Sequence, residues 1–321
     1  MLRVIIFLPI FFLFFNFSSA SAQSKIQQKE LKEHVSFLAS EKNKGRYPGT
    51  KESGKVVKYI CRNFHRAGIE NFGGSYLQPF EARLWIKKGA AAPPVVKTCN
   101  VIGVIPGSDP VLKHEYLVLG AHYDHLGMGG PSSKDPDTTA VHFGADDNAS
   151  GIAALLEIGE ELAANRHLLK RSIILAAFGA EEQGLLGSKF FTAYPPVPLS
   201  KIKLMINMDM VGRLNTEKQV YVNGAGTFKG GVKLMERLGP ELDLSPLVHA
   251  GGVSGSDHVF FYRKNISAMG VHTGAHPQYH TTEDRAELIN IEGMKAVCEF
   301  IYKAVIEVSN GSSPIEFIRQ D

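Results

Sequence analysis

Of the 321 residues only three are cysteine and one is tryptophan. Cys61, Cys99 and Cys298 form no C-x-x-C pair, which excludes a thiolate metal site. Three thiols are also too few for a disulfide-built mini-protein, and leave either one bridge with an odd thiol or three free thiols. An excess of one charge is missing too. Lys and Arg total 35 against 32 Asp and Glu, a net +3, and the basic residues are spread along the chain. That excludes a binder of nucleic acid or other polyanions. There is no internal repeat, low-complexity tract or linker. No G-x-S-x-G motif occurs and the cysteines carry no catalytic signature, so nucleophilic Ser or Cys catalysis has no local support. Beyond residue 22 no apolar run reaches the ~20 residues needed to span a bilayer.

What is present begins with a leader. Arg3 precedes the apolar run Val4 to Phe15, and small residues end it at Ala20-Ser21-Ala22. This pattern predicts a Sec-type signal peptide over residues 1–22, cleaved before Gln23. Pro9 and the shortness of the run argue against an uncleaved anchor. Six of the 19 Phe lie in this segment, and removing Arg3 leaves 34 basic and 32 acidic residues, a net +2. The expected product is an exported chain, periplasmic or extracellular, with no stable membrane association.

The remainder, residues 23–321, opens with helical patterns over Ser24–Ser40 and Lys51–Ala67, the second ended by Gly68. Ala90–Pro94 reads as a loop or hairpin tip. From Asn100 short apolar runs alternate with helical stretches. The runs are Asn100–Ile105, Tyr116–His122, Ser172–Phe178, Lys203–Asp209, Gln219–Val222 and Ile266–Val271. The helices fall near Ala149–Ala164, Gly187–Ala193, Phe228–Leu238 and Ile291–Val308. Such alternation predicts an α/β fold: a three-layer αβα sandwich around a mostly parallel, mixed central sheet. It makes a single domain, with residues 23–95 packing on it.

Ligands of open α/β sheets sit beyond the carboxyl ends of the strands, and unusual residues gather there. One strand ends in His122-Tyr123-Asp124, where H-x-D places both side chains on one face and lets Asp124 accept from the second ring nitrogen of His122. Asp146-Asp147 stand in a Gly-flanked loop; a helix cap needs one acid, and two suggest a cation. Glu181-Glu182 follow another strand, and two neighbouring carboxylates can divide into a metal ligand and a free general base. Asp209 ends a third strand, where it needs a metal or an ion pair, with Arg213 available. His272, His276 and His280 follow at four-residue spacing, but Gly270, Gly274 and Pro277 make this a loop, in which Tyr279–Asp284 is the polar part.

In this order the series His122, Asp147, Glu181-Glu182, Asp209 and Tyr279-His280 resembles the co-catalytic di-zinc exopeptidases typified by secreted bacterial leucyl aminopeptidases, relatives of glutamate carboxypeptidases and glutaminyl cyclases. Leu38-Ala39-Ser40, Gly45-Arg46, Pro48-Gly49 and Ser256-Asp257-His258-x-x-Phe261 look like that family as well, and no protease-associated insert precedes His122. The resemblance implies two zinc ions per chain, or other divalent metals that suit the same donors. It implies His122 and Asp209 on one ion, Glu182 and His280 on the other, and Asp147 bridging. Glu181 would be the general base, Asp124 the partner of His122, and Tyr279 an oxyanion donor. The implied activity is aminopeptidase action on peptide substrates.

Three alternatives stand beside it. A carboxypeptidase would need a cation for the terminal carboxylate, for which Arg213 is a candidate. A glutaminyl cyclase would work with one zinc and a Trp-rich pocket, whereas the one tryptophan, Trp85, is far in sequence from the motifs. A non-catalytic binding module would be expected to have lost ligands or base, and a calcium site would not use histidine. The segment Gly127–Phe143 is expected to be a mobile pocket wall, and His276 a further cleft residue.

Overall fold

A computed structural model of the chain describes residues 26–85, 92–135 and 137–320. The predicted leader, the expected cleavage point and the first two residues of the Ala90–Pro94 tip lie outside them. Two helices come first, α1 (Gln28–Leu38) and α2 (Lys51–Arg66). The Thr50 hydroxyl starts α2 by accepting from Ser53 N at 3.1 Å, and Gly68, at φ 68°, ends it as its sequence position predicts. Strands β1 (Glu70–Asn71), β2 (Leu77–Arg83) and β3 (Val95–Ile105) follow. β2 pairs antiparallel with β3, so the expected hairpin exists around the tip. A strand region within 23–95 was expected, but no residues were assigned to β2, whose apolar pattern is broken up by Gln78, Pro79 and Glu81.

Next come β4 (Tyr116–His122), α3 (Gly151–Ala164), β5 (Ser172–Phe178), α4 (Leu186–Ala193), β6 (Ile202–Met208) and β7 (Gln219–Asn223). The chain ends through α5 (Gly231–Glu241), β8 (Ser245–His249), α6 (His258–Arg263), β9 (Ser267–His272) and α7 (Ile291–Asn310). The strands form one sheet in the order β1-β3-β5-β4-β6-β9-β7-β8, with β2 on β3. The central four, β5-β4-β6-β9, are mutually parallel. Antiparallel pairing is confined to the flanks, where β3 pairs with β1, β2 and β5 on one side and β7 with β9 on the other.

Both faces are covered, which explains why β4, β5 and β6 read as continuous apolar runs. On one face Leu117, Leu119 and Ala121 share a core with Leu31 and Leu38 of α1, Ile60 of α2, Leu155 of α3 and Val297 of α7. On the other, Val118, Ile174 and Met205 pack with Phe191 of α4 and Phe261 of α6. These are the three layers. All three cysteines are free, and Cys298 is buried in α7. Among the described residues no helix is long and apolar enough to cross a membrane.

Candidate metal centre

The parallel strands all deliver their carboxyl ends to one edge of the sheet. β4 ends at His122. β5 leads into a turn, with Ala180 at φ 59°, that carries Glu181 and Glu182. Asp209 follows β6, its N–H donating to Val271 O of β9 at 3.2 Å. Asp147 lies in the irregular turn Ala145–Ser150 ahead of α3, and its peptide bond to Asn148 is cis. Asn148, not an aspartate, accepts from Gly151 N at the start of that helix. His280 comes from the connection after β9, at φ 63°.

Asp147 stands between two imidazoles. Its Oδ1 lies 3.2 Å from His122 Nε2, and its Oδ2 lies 3.1 Å from His280 Nε2. Asp209 Oδ1 is 3.4 Å from His122 Nε2, and Glu182 Oε2 is 3.2 Å from His280 Nε2. Behind each ring a carbonyl fixes the tautomer. His122 Nδ1 donates to Asp124 O at 3.2 Å, and His280 Nδ1 donates to Ser132 O at 2.8 Å. Since a carbonyl can only accept, each neutral ring keeps its Nε2 lone pair turned toward carboxylate oxygens. That arrangement is repulsive unless a proton or a metal cation lies between. Burial opposes a charge on His280, yet the Asp147 and Glu182 carboxylates hold its ring up at about 10. Carboxylate and imidazole donors without thiolate suit zinc. Two sets, His122–Asp147–Asp209 and His125–Asp147–Glu182, bring their donor atoms within 4.8 Å of one another.

All five residues expected as ligands therefore meet, and so do Glu181 and Tyr279, which line the same cavity. Burial, with Glu182 and Asp257 nearby, pushes the Glu181 carboxyl well above the usual range, with His122 opposing. Burial likewise raises the Tyr279 hydroxyl, so it remains protonated and able to donate. Asp209 is not neutralised by Arg213, whose Nη2 donates instead to Gln278 Oε1 at 3.2 Å.

Asp124 needs a correction. Its carboxylate is 3.9 Å from His122 Nδ1, and its backbone carbonyl takes the expected bond. The chain turns immediately after β4, so the alternation assumed for H-x-D stops one residue too soon. The Asp124 carboxylate instead accepts from Glu181 N at 2.9 Å and Glu182 N at 3.3 Å, and so holds the acidic turn. Gly127–Phe143 is also corrected: among the described residues none of this segment lines the cavity. It braces His280 through Ser132 O, and Asp135 Oδ2 accepts from Thr282 N at 2.9 Å. His276 is not among the described residues that line the cavity, and its Nε2 lies 3.2 Å from Asp146 Oδ2. Trp85, far from the motifs in sequence, lies near them in space: its backbone N–H donates to Gln183 Oε1 at 2.8 Å, beside Glu182.

Three positions at the centre were given no role by the sequence reading, and His125 was not named in it. His125, three residues after His122, places Nδ1 2.8 Å from Glu182 Oε1, and its buried Nε2 has no hydrogen-bond partner. Its signal was the second histidine of His122-Tyr123-Asp124-His125. Asp284 accepts from the N–H groups of Asp146 and Asp147 at 3.0 Å and so fixes the bridging loop. Arg46 is fully buried, and Gly45 ahead of it has no room for a Cβ, which would lie 2.4 Å from His142 O. The Arg46 guanidinium donates to the carbonyls of Leu38, Tyr123, Phe143 and Gly144. It thus ties the segment after β4 to the segment before Asp147. Burial lowers it to about 10, against the pull of the Asp147, Asp124, Asp284 and Glu182 carboxylates.

Residues 100–305 match the model for peptidase family M28. Aminopeptidase YwaD of Bacillus subtilis is 31% identical over 221 residues, which are 65% of this chain and 44% of that protein. The chain thus spans less than half the length of this curated relative. A zinc-dependent exopeptidase from Parabacteroides distasonis superposes with a TM-score of 0.69 at 21% identity, covering 89% of this chain and 99% of that one. A glutaminyl cyclase from Bacteroides thetaiotaomicron superposes equally, with a TM-score of 0.69 at 21% identity and 88% and 98% covered.

Proposed function

This chain belongs to peptidase family M28, and on that premise we propose that it is an exported, metal-dependent aminopeptidase with two zinc ions per chain. One observation carries the reading: the two oxygens of Asp147 address two separate imidazoles, each with its own second carboxylate. In this reading His122 and Asp209 would hold one ion, Glu182 and His280 would hold the other, and Asp147 would serve both. Zinc so held supplies Lewis acidity for the scissile carbonyl and acidifies water.

The chain's own groups do the rest. Glu181, raised by burial, accepts the proton of the attacking water at its carboxylate. The water oxygen bonds to the peptide carbon, the carbon–nitrogen bond breaks, and Glu181 returns the proton to the leaving amine. The Tyr279 hydroxyl donates to the oxyanion as it develops. Asp124 fixes the backbone of Glu181 and Glu182, so the base keeps its position relative to Glu182. The name of the Bacillus subtilis relative supports removal of the N-terminal residue.

The test is a panel of free-amino, N-blocked and C-terminal-reporter peptides on zinc-loaded protein. Only the free-amino peptides should be cut; hydrolysis confined to N-blocked peptides removes the aminopeptidase reading. Intact mass of the secreted chain should begin at Gln23.

A further inference from the structure

Trp85, the one tryptophan of the chain, is 51% exposed. A single exposed apolar side chain is ordinary on a protein surface, but this indole is built into the edge that carries the metal centre. β2 runs antiparallel to β3, and β3 runs antiparallel to β5. β2 therefore points the same way as the central parallel strands, and its carboxyl end lies at the same edge as theirs. Trp85 stands two residues past that end.

Three contacts seat it against the turn that carries Glu181 and Glu182. Its backbone N–H donates to Oε1 of the buried Gln183 at 2.8 Å. Leu84, the residue before it, shares an apolar cluster with Ala180, the residue before Glu181. The indole itself covers Gly184, where a Cβ would lie 3.3 Å from Cζ2 and 3.8 Å from Nε1. Gly184, at φ 98°, also lets the turn close, its N–H donating to Glu181 O at 2.9 Å. Glu181 thus opens a short turn, and the indole lies on its last residue.

The enclosed space is on the other side of Glu181. Beyond the ligands and Glu181 itself, the cavity is lined from β6, β7, β9 and the loops beside them, and by none of the described residues of β2 or β3. In the sheet order β6, β9 and β7 lie to one side of β4, and β5, β3 and β2 to the other. An aminopeptidase encloses the free amino end and leaves the rest of its substrate outside. A peptide with its first residue in the cavity and its scissile carbonyl at Glu181 therefore continues over the 181–184 turn toward Trp85. A four-residue turn spans less than about 7 Å, and an extended peptide advances ~3.3 Å per residue. The second or third residue past the scissile bond reaches the indole.

We propose that Trp85 is a subsite for the leaving part of the peptide, favouring substrates with an aromatic or aliphatic side chain at their third or fourth residue. The proposal rests on the aminopeptidase reading and adds to it a preference beyond the scissile bond. An apolar side chain laid on the indole takes its exposed face out of water, and an aromatic one adds ring–ring attraction. A substrate that ends at its second residue gains neither.

The experiment uses zinc-loaded protein with Ala-Ala-Ala-Ala, Ala-Ala-Phe-Ala and Ala-Ala-Ala-Phe, with products identified by mass spectrometry. The better of the two Phe peptides should exceed Ala-Ala-Ala-Ala in kcat/KM by roughly tenfold. Trp85→Ala should bring this ratio toward one, and Trp85→Tyr should keep part of it. A purely structural role would lower activity on all three peptides alike and leave the ratio in place. Emission from Trp85 reads the contact directly, since no other tryptophan contributes. Ala-Ala-Phe-Ala added to zinc-loaded Glu181→Gln should shift that emission saturably to shorter wavelength as water leaves the ring. Equal kcat/KM for all three peptides with the wild type overturns the proposal, and needs no variant to fold. A Phe preference that survives Trp85→Ala, or unchanged emission at saturation established by calorimetry, overturns it as well. In each of these cases Ala-Ala-Ala-Ala is still cut at its amino end, and the aminopeptidase reading stands. Failure on all three peptides defeats both together.

Discussion

The two halves of the centre use the same chemistry on different supports. His122 ends a central β-strand, and its side chain is 1% exposed. His280 stands on a loop at φ 63° with its side chain 12% exposed. Each gives Nδ1 to a carbonyl and turns Nε2 to carboxylates, but the carbonyl behind His122 is two residues away, while that behind His280 comes from Ser132, 148 residues distant. Orientation on the first half is thus secured by a strand and its own turn. On the second it depends on a long loop docking correctly. The comparison teaches that one half is rigid with the sheet and the other is only as firm as the 132–135 contact.

The largest expected effect belongs to neither half. Glu181→Gln should keep both ions in metal analysis while turnover falls by roughly 10²–10⁴-fold. Near wild-type activity would remove Glu181 as the base. Arg46→Met should affect both halves together, because it removes the donor that four carbonyls share and leaves those of Tyr123 and Phe143 without it. A loss of about 3 kcal/mol or more in urea unfolding is expected, with lower affinity for both ions. A loss of only one ion would mean that Arg46 supports one side. The smallest effect should be the most selective. Asp135→Ala removes the bond from Thr282 N and should weaken the His280-side ion by about fivefold, roughly 1 kcal/mol, in chelator competition. An equal weakening of the His122-side ion would erase the difference between the halves.

The same division explains what could be read from the sequence. β4, β5 and β6 are buried on both faces, so hydrophobicity alone marked them, and His122, Glu181-Glu182 and Asp209 stood out at their ends. β2 and β8 lie at the margins of the sheet, where Gln78, Glu81 and Pro246 are tolerated, and gave no comparable signal. Side-chain direction was legible only where the backbone stayed regular. Asp124 sits past the end of β4, and its carboxylate turned to the acidic loop. The partnership of His280 with Ser132 and the placement of Arg46 beneath the centre are long-range contacts that no local pattern encodes.

The central claim is that five residues form two ion sites sharing Asp147. Metal analysis of the purified, dialysed protein at known chain concentration tests it most directly. The account predicts two zinc ions per chain for the wild type, and one for His280→Ala, held by His122, Asp147 and Asp209. One ion per chain in the wild type, with activity intact, would contradict it.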